Sequence, residues 1–321
     1  MKKLVQSKTQ FLKDMLDGMC MTHPELEIIA DTVVVKKHKK TNGVALVSGG
    51  GSGHEPAHAG YVAEGMLDAA VCGEVFTSPT PDKVLEAIKA VDTGDGVLLI
   101  VKNYAGDIMN FEMAQELAEM EGIRVRTVVV KDDIAVENET QRRGVAGTVL
   151  VHKLAGYLAE QGEDLETIAT RVESFLTEVH SIGMALTPPM VPTTGQYGFD
   201  IEADEMEIGV GIHGEKGLQR VPYAPIQDVV SRLLTELDPF VPEGPSVVMV
   251  NGMGGTPLSE LHIVTTYVAA QLETKGVDVA YWLVGDYMTA LDMQGFSLTL
   301  APATPDVLSA LKAPTTSRYF K

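Results

Sequence analysis

Apolar and polar positions in the first half of the chain alternate between two periods. Continuous apolar runs, which are typical of strands buried on both faces, are separated by segments with an apolar residue every three or four positions, which are typical of amphipathic helices. The runs predict strands at about 44–48, 69–75, 97–102 and 123–130. The periodic segments predict helices at about 9–22, 56–66, 81–91 and 108–121. This order predicts an α/β domain with a largely parallel sheet covered by helices on both faces.

The second half continues the alternation after a change in composition. Two helices are expected within 144–180, and a Pro-rich segment follows at 187–192. A second α/β domain is indicated by predicted strands at 207–213, 246–250, 278–284 and 296–301 and predicted helices at 225–237 and 258–275. A chain of 321 residues is long enough for two domains, because single cores stop growing at roughly 250 to 300 residues. We place the boundary near residue 181, which gives domains 1–180 and 181–321.

The charge balance excludes several classes of function. Lysine and arginine number 25 against 44 aspartates and glutamates, a formal charge of −19, which opposes binding to nucleic acid or to anionic membranes. No run reaches the roughly 20 apolar residues of a membrane span. The two cysteines, Cys20 and Cys72, form neither a disulfide framework nor a metal-ligand cluster. We therefore expect a cytoplasmic protein that binds neither nucleic acid nor membranes.

One glycine-rich stretch, LVSGGGSGHEPAH from Leu46 to His58, predicts a binding loop. Its glycines permit positive φ angles and close approach of the backbone to a ligand. Pro56 suits the first turn of the predicted helix 56–66, so the amides of Gly53 and His54 are expected to point toward the mouth of the loop. Ligands in such sheets lie beyond the carboxyl ends of strands, which makes the loops 49–55, 76–81, 103–107 and 131–143 candidates for one site.

The same stretch matches the H-E-x-x-H zinc signature through His54 and His58. That chemistry needs both histidines on one face of a helix, whereas Pro56 disfavours helical geometry at Glu55. A zinc hydrolase is therefore a remote alternative, and we expect no metal.

A Walker lysine loop is absent, so the chain has no recognisable nucleotide cradle of its own.

A second candidate lies in the predicted strand 207–213. Side chains alternate across a strand, so Gly209, Gly211 and His213 would share one face that is bare except for the imidazole. A small ligand could lie over the glycines, and a neutral imidazole is a competent nucleophile toward a carbonyl carbon. Alternatively, the glycines allow close sheet packing and His213 caps a turn.

Two further side chains have both a functional and a structural interpretation. His54, at a helix entrance, would be a neutral base, or else a loop histidine bonded to the backbone. Asp107 could accept a hydrogen bond from a bound hydroxyl, or could simply be the N-cap of a helix beginning at Ile108.

A longer pattern extends from about residue 42 to residue 300. Its stretches are SGGGSGHEPAHAGY, GEVFTSPTPDK, VKNYAGDIMNFEMA, RRGVAGTV, EMEIGVGIHGE and NGMGGTPLSEL. Together they resemble the dihydroxyacetone kinase family, specifically its DhaK-type dihydroxyacetone-binding subunit.

The resemblance implies a role for each candidate residue. His213 would form a covalent hemiaminal with the ketone carbon of dihydroxyacetone, and His54 would be the general base on the terminal hydroxyl. Asp107 would hydrogen-bond that end of the substrate. The pocket would be lined by Gly51, Ser52, Gly53 and Lys102.

The resemblance also implies partners and a cofactor held elsewhere. A DhaL-type subunit would carry ADP or ATP with magnesium, and a DhaM-type protein would supply phosphoryl groups that originate from phosphoenolpyruvate. The chain itself would hold no cofactor and would form a homodimer.

One departure from the family pattern keeps a second function open. DhaK-type subunits usually have a longer loop before the Arg-Arg-Gly sequence, whereas here Ala135–Gln141 runs directly into Arg142. A shortened loop with the pocket residues retained is also expected of a DhaQ-type coactivator, which binds dihydroxyacetone and a transcriptional regulator without catalysis.

Overall fold

Strands and helices alternate along the described part of this computed structural model, residues 3–7, 9–215 and 217–320. The strands are β1 (Leu26–Ile29), β2 (Val33–Lys36), β3 (Ala45–Ser52), β4 (Ala69–Val75), β5 (Val97–Lys102), β6 (Val125–Val130), β7 (His180–Ala185), β8 (Met190–Val191), β9 (Gln196–Tyr197), β10 (Glu205–Ile208), β11 (Gln219–Pro222), β12 (Ser246–Gly252), β13 (Val279–Gly285) and β14 (Gly295–Pro302). The helices are α1 (Phe11–Thr22), α2 (Pro81–Val91), α3 (Ala105–Met120), α4 (Gly147–Glu160), α5 (Leu165–Leu176), α6 (Ile226–Leu237), α7 (Leu258–Thr274) and α8 (Pro305–Lys312).

The first sheet has the order β1-β2-β4-β3-β5-β6. Strands β4, β3, β5 and β6 are parallel, and β1 and β2 add an antiparallel hairpin at one edge. The side chains of each parallel strand point alternately to two helix layers. Val47 and Leu99 pack with α2 and α3, whereas Leu46 and Leu98 pack with α4 and α5. The predicted sheet, largely parallel and covered on both faces, is confirmed.

The second sheet has the order β11-β10-β7-β14-β12-β13. Only the pair β12 and β13 is parallel among the described strands of this sheet. Helices α6 and α7 cover one face through Val230, Leu233 and Val268. The other face turns toward the first sheet.

A single hydrophobic cluster, here called the interlayer core, fills the space between the two sheets. It combines Leu46 and Ile100 of the first sheet, Val149 of α4, and Val247 and Met249 of the second sheet. The layers therefore run helix, sheet, helix, sheet, helix. The division into domains 1–180 and 181–321 stays a prediction, because the second sheet begins at His180 but shares this core with the first.

The predicted helix 56–66 is wrong. The segment forms turns and a short 3-10 helix at Ala59–Tyr61. The Glu55 carbonyl, which would accept the first hydrogen bond of such a helix, accepts instead from Thr289 Oγ1 at 2.8 Å. A tertiary contact thus replaces this helical hydrogen bond.

The predicted strand 207–213 is also wrong beyond Ile208. Gly209 has φ +78°, which turns the backbone out of the pleat, and Val210 and Ile212 enter different hydrophobic clusters. His213 therefore lies in a turn, and the strand alternation does not explain its direction. The apolar pattern also missed several short elements, namely β1, β2, β7, β8, β9, β11 and α8.

Candidate active site

The glycine-rich strand β3 brings the backbone close to polar side chains. A Cβ atom at Gly50 would lie 2.5 Å from Lys102 Nζ and 3.5 Å from Asp107 Oδ2. A Cβ atom at Gly51 would lie 2.5 Å from Thr77 N. Real Cβ atoms do not approach other atoms this closely, so these positions require glycine. The glycines hold the backbone against Lys102 and Asp107.

His54 and His213 face each other directly, with their Nε2 atoms 3.0 Å apart. His54 Nδ1 lies 2.8 Å from Thr289 O, and a carbonyl oxygen only accepts, so Nδ1 carries the proton. The Nε2 atom of neutral His54 is consequently a free lone pair. Burial, His213 and the charge of Lys102 hold the pKa of His54 well below its usual value. His54 is therefore neutral near pH 7.

Glu215 determines the orientation of His213. Its Oε1 atom lies 2.8 Å from His213 Nδ1, and its Oε2 atom accepts from the His213 backbone N–H at 2.9 Å. Burial opposes ionisation of Glu215, but the hydrogen bond and electrostatic interaction with His213 and the charge of Arg143 outweigh it and lower its pKa to about 2. The carboxylate therefore accepts the Nδ1 proton and leaves Nε2 of neutral His213 as a lone pair.

Both Nε2 lone pairs thus open on one small volume. Two lone pairs 3.0 Å apart repel each other, so a ligand that engages both nitrogens would relieve this repulsion. An electrophilic carbon and a hydroxyl hydrogen on neighbouring atoms of one ligand would satisfy both nitrogens. The geometry suits a nucleophile and a base that act on the same small molecule.

Aromatic rings enclose the His213 imidazole. The ring centroids of Tyr104 and Phe76 lie 4.5 Å and 5.2 Å from that of His213, both in edge-to-face arrangement. Phe76 also stacks on His54 at 5.2 Å. These contacts limit the rotation of both imidazoles.

Asp107 and Lys102 are almost fully buried, with 3% and 1% of each residue exposed. Lys102 Nζ donates to Gly49 O at 3.0 Å and lies 4.0 Å from Asp107 Oδ2. Asp107 Oδ1 is buried and has no hydrogen-bond partner among the described residues. Such an oxygen is costly, so we expect a ligand hydroxyl to donate to it.

The alternative role of Asp107 as an N-cap is wrong. Tyr104 is the N-cap of α3, and Asp107 lies inside the first turn of the helix. Its carboxylate still benefits from the positive end of the helix dipole.

The remaining glycine-loop residues have internal partners. Ser52 Oγ donates to Gly73 O at 2.7 Å, and Gly53 N donates to the Glu55 carboxylate at 3.0 Å. The expectation that the Gly53 amide points from a helix end toward the loop mouth is therefore wrong. Gly53 borders Phe76, because a Cβ atom there would lie 2.8 Å from Phe76 Cε1, whereas Gly51 and Ser52 line a cavity that does not include His54 or His213.

The structure gives the zinc alternative no support. His54 and His58 share no helix, and His58 Nε2 lies 2.6 Å from Lys102 Nζ. In residues 3–7, 9–215 and 217–320, no group of three or more histidine, cysteine, aspartate or glutamate side chains could hold a metal ion.

Sequence reasoning missed Glu215, Phe76, Tyr104 and Arg143. Phe76 and Tyr104 belong to the loops at the carboxyl ends of β4 and β5, which were candidates as segments but not as residues. Glu215 stands two positions after His213, and this spacing was the available signal. A cavity of about 420 Å³ is lined by Met15, Met19, Cys72 and Tyr319 and also by Gly51, Ser52 and His58, and it does not include His54 or His213.

Residues 17–319 match the model of the Dak1 domain, and the chain belongs to this family. It is 49% identical over 308 residues to the dihydroxyacetone-binding subunit DhaK of PTS-dependent dihydroxyacetone kinase 1 from Listeria innocua serovar 6a, covering 94% of each chain. It is 47% identical over 314 residues to the DhaK subunit of Lactococcus lactis subsp. lactis, covering 95% of this chain and 94% of that protein.

Among solved structures, the dihydroxyacetone kinase operon co-activator Dha-DhaQ superposes with a TM-score of 0.92 at 36% identity, covering 96% of this chain and 98% of the co-activator. The chain is thus similar to both a kinase subunit and a co-activator of one family. Among the described residues, no helix is long and apolar enough to cross a membrane.

Proposed function

We propose that the chain is the dihydroxyacetone-binding subunit of a phosphoenolpyruvate-dependent dihydroxyacetone kinase, acting in the cytoplasm as a homodimer. The observation that carries the proposal is the pair of His54 and His213 Nε2 atoms, 3.0 Å apart in one pocket. The similarity to DhaK subunits at 49% and 47% identity supports the same substrate.

In the proposed capture step, the Nε2 lone pair of His213 bonds to the ketone carbon of dihydroxyacetone. The C–O π bond breaks, and the oxygen takes a proton from solvent, which leaves a carbinol on a positively charged ring. The Glu215 carboxylate, 2.8 Å from Nδ1, stabilises this charge. Glycerol has the same hydroxyls and no carbonyl carbon, so it is not captured.

In the proposed transfer step, the terminal hydroxyl donates to His54 Nε2, which removes its proton as the oxygen attacks phosphorus. The free Oδ1 atom of Asp107 accepts a hydrogen bond at that end of the substrate. A DhaL-type partner would carry ATP with magnesium and supply its γ-phosphoryl group; ADP would be the leaving group on that partner, and a DhaM-type protein would rephosphorylate it. His54 needs no higher pH to act as a base, because burial already keeps it neutral.

The Dha-DhaQ similarity favours a second candidate, a coactivator that binds dihydroxyacetone and a transcriptional regulator. The short segment from Ala135 to Gln141, which is largely exposed, is the feature of this chain that fits it. We place the kinase subunit first, because the identity to DhaK subunits, 49% and 47%, exceeds the 36% to the coactivator.

Reconstitution tests the proposal. The purified chain, combined with a DhaL-type subunit, a DhaM-type subunit with its general phosphotransferase proteins, and phosphoenolpyruvate, is expected to form dihydroxyacetone phosphate. His213→Ala should abolish product, whereas His262→Ala, on the exposed side of α7, should not change the rate. No product from the wild-type chain, together with dihydroxyacetone-dependent binding of a regulator-type partner, would assign the chain to the coactivators instead.

A further inference from the structure

A buried polar cluster lies behind Lys102 and takes no part in the steps above. It consists of Ser48 on β3, His58 in the following turn, and His152 on α4. All three residues are buried, and His58 Nε2 lies 2.6 Å from Lys102 Nζ. The direction of each bond in the cluster follows from which atoms can only accept and which can donate, and His152 Nδ1 is left without a partner among the described residues.

The Ser48 hydroxyl sets these directions. Its Oγ atom donates to Ile100 O at 2.7 Å, because a carbonyl oxygen only accepts. With its one proton used, Oγ accepts from the other neighbours, His58 Nδ1 at 3.3 Å and His152 Nε2 at 3.2 Å. His58 therefore carries its proton on Nδ1, and its Nε2 lone pair accepts from the Lys102 ammonium.

We infer that His58 is a positioning residue for Lys102: as a neutral acceptor it directs the ammonium so that the third N–H points to a ligand oxygen beside Asp107. The other two N–H groups are taken by Gly49 O and His58 Nε2. The inference rests on the proposed function in one respect, since it names the ligand oxygen as one of dihydroxyacetone.

The charges around Lys102 agree with a neutral His58. The carboxylate of Asp107 is the acidic group that faces the ammonium, and His54, His58 and His152 face it from the glycine loop and α4. Burial and the Lys102 charge hold the pKa of His58 well below its usual value. A protonated His58 would place two cations 2.6 Å apart without solvent, which the site could not tolerate.

A matched pair of substitutions tests the inference. In His58→Gln, the amide oxygen reaches the position of Nε2 and can still accept from Lys102. In His58→Asn, the shorter amide reaches only the position of Nδ1, so it keeps the contact with Ser48 and loses the contact with Lys102. The two variants thus differ in the acceptor for Lys102 while both keep a polar group in the cluster.

Two measurements compare the variants His58→Gln and His58→Asn. Calorimetric titration with dihydroxyacetone is expected to show affinity within about threefold of wild type for His58→Gln and a loss of roughly tenfold or more for His58→Asn. Carbon NMR of lysine labelled at Cε, assigned with Lys102→Arg, should show the Lys102 pKa lower by about one unit in His58→Asn. Because binding needs the charged ammonium, the alkaline loss of affinity should begin at correspondingly lower pH in that variant.

The outcomes distinguish a failure of the positioning role of His58 from a failure of the proposed function. Equal Lys102 titration and equal affinity in the two variants would overturn the role of His58. If the wild-type protein does not bind dihydroxyacetone, the proposed function fails, and the titration of Lys102 in the free protein still decides the role of His58. Should His58→Asn not fold by circular dichroism, Ser48→Ala replaces it: freeing the His58 tautomer should lower the Lys102 pKa, and an unchanged titration would overturn the inference.

Discussion

The histidines near the glycine strand show how surroundings determine what one side chain can do. His54 is fixed by a backbone carbonyl, His213 by a carboxylate and His58 by a serine hydroxyl. In each ring the hydrogen-bond partner keeps the proton on Nδ1, so Nε2 carries the free lone pair. What Nε2 faces then differs: the common pocket for His54 and His213, and an ammonium for His58.

His213→Ala is expected to abolish covalent capture of dihydroxyacetone. With substrate carrying carbon-13 at the ketone carbon, wild-type protein should convert the carbonyl resonance into that of a saturated carbon bonded to oxygen and nitrogen. His54→Ala should keep this signal, because the ring of His54 acts only on the hydroxyl.

Treatment with borohydride tests which residue captures the ketone. A hemiaminal on an imidazole has no imine to reduce, whereas a Schiff base on the buried amine of Lys102 would be reduced to a stable adduct. A permanent mass increase of the intact chain after borohydride, retained in His213→Ala and lost in Lys102→Arg, would show that capture occurs at the lysine.

Asp132, which follows β6, joins elements that belong to the two sheets. Its carboxylate accepts from Val145 N and Gly147 N at 2.8 Å, at the start of α4, and from Ser181 Oγ at 2.5 Å in β7. Burial raises the pKa of Asp132, and these hydrogen bonds act in the opposite direction. The side chain thus fixes α4 and β7 relative to the first sheet.

Asp132→Ala is expected to lower the free energy of unfolding by about 3 kcal/mol, because several buried donors lose a charged acceptor together. Asp164→Ala is the matched control. Asp164 caps α5 by accepting from Thr167 N at 3.0 Å in an exposed position, and its loss should cost about 1 kcal/mol. Urea denaturation of both variants near pH 7 measures the difference, and equal losses would contradict the role given to Asp132.

The interlayer core makes the two sheets one packing unit. Residues of β3, α4, β12 and α8 contribute to the same cluster, so neither sheet can expose its inner face without exposing that of the other. The burial of this shared apolar surface is the main free energy that holds the halves together.

We therefore expect a single cooperative unfolding transition. The chain has one tryptophan, Trp282 on β13, whose fluorescence reports on the second sheet. Cys72 is buried in β4, so its reactivity toward a thiol reagent in a Cys20→Ser background reports on the first sheet. The two midpoints in urea should coincide. A Trp282 transition at lower urea with Cys72 still protected would mean that the sheets unfold independently.

The local pattern of apolar and polar residues predicted most of the longer helices and strands. Helix α2 coincides with its predicted range, Pro81–Val91, since its apolar residues recur at helical spacing and Pro81 suits the first turn. The parallel strands followed from continuous apolar runs. The glycines between 49 and 53 likewise indicated a pocket, because a backbone that approaches other atoms closely needs residues without Cβ.

Contacts between distant segments determined the parts of the fold and of the site that the local pattern did not predict. The apolar period fails at 56–66, where Thr289 donates to the Glu55 carbonyl at the start of the segment, and beyond Ile208, where Gly209 turns the chain. His54 and His213 are 159 positions apart, and their 3.0 Å contact depends on how the two sheets pack. Residue types and periodicity record local backbone preferences and burial. The tautomers, the free oxygen of Asp107 and the tertiary partners of Lys102 exist only once remote segments are folded against each other.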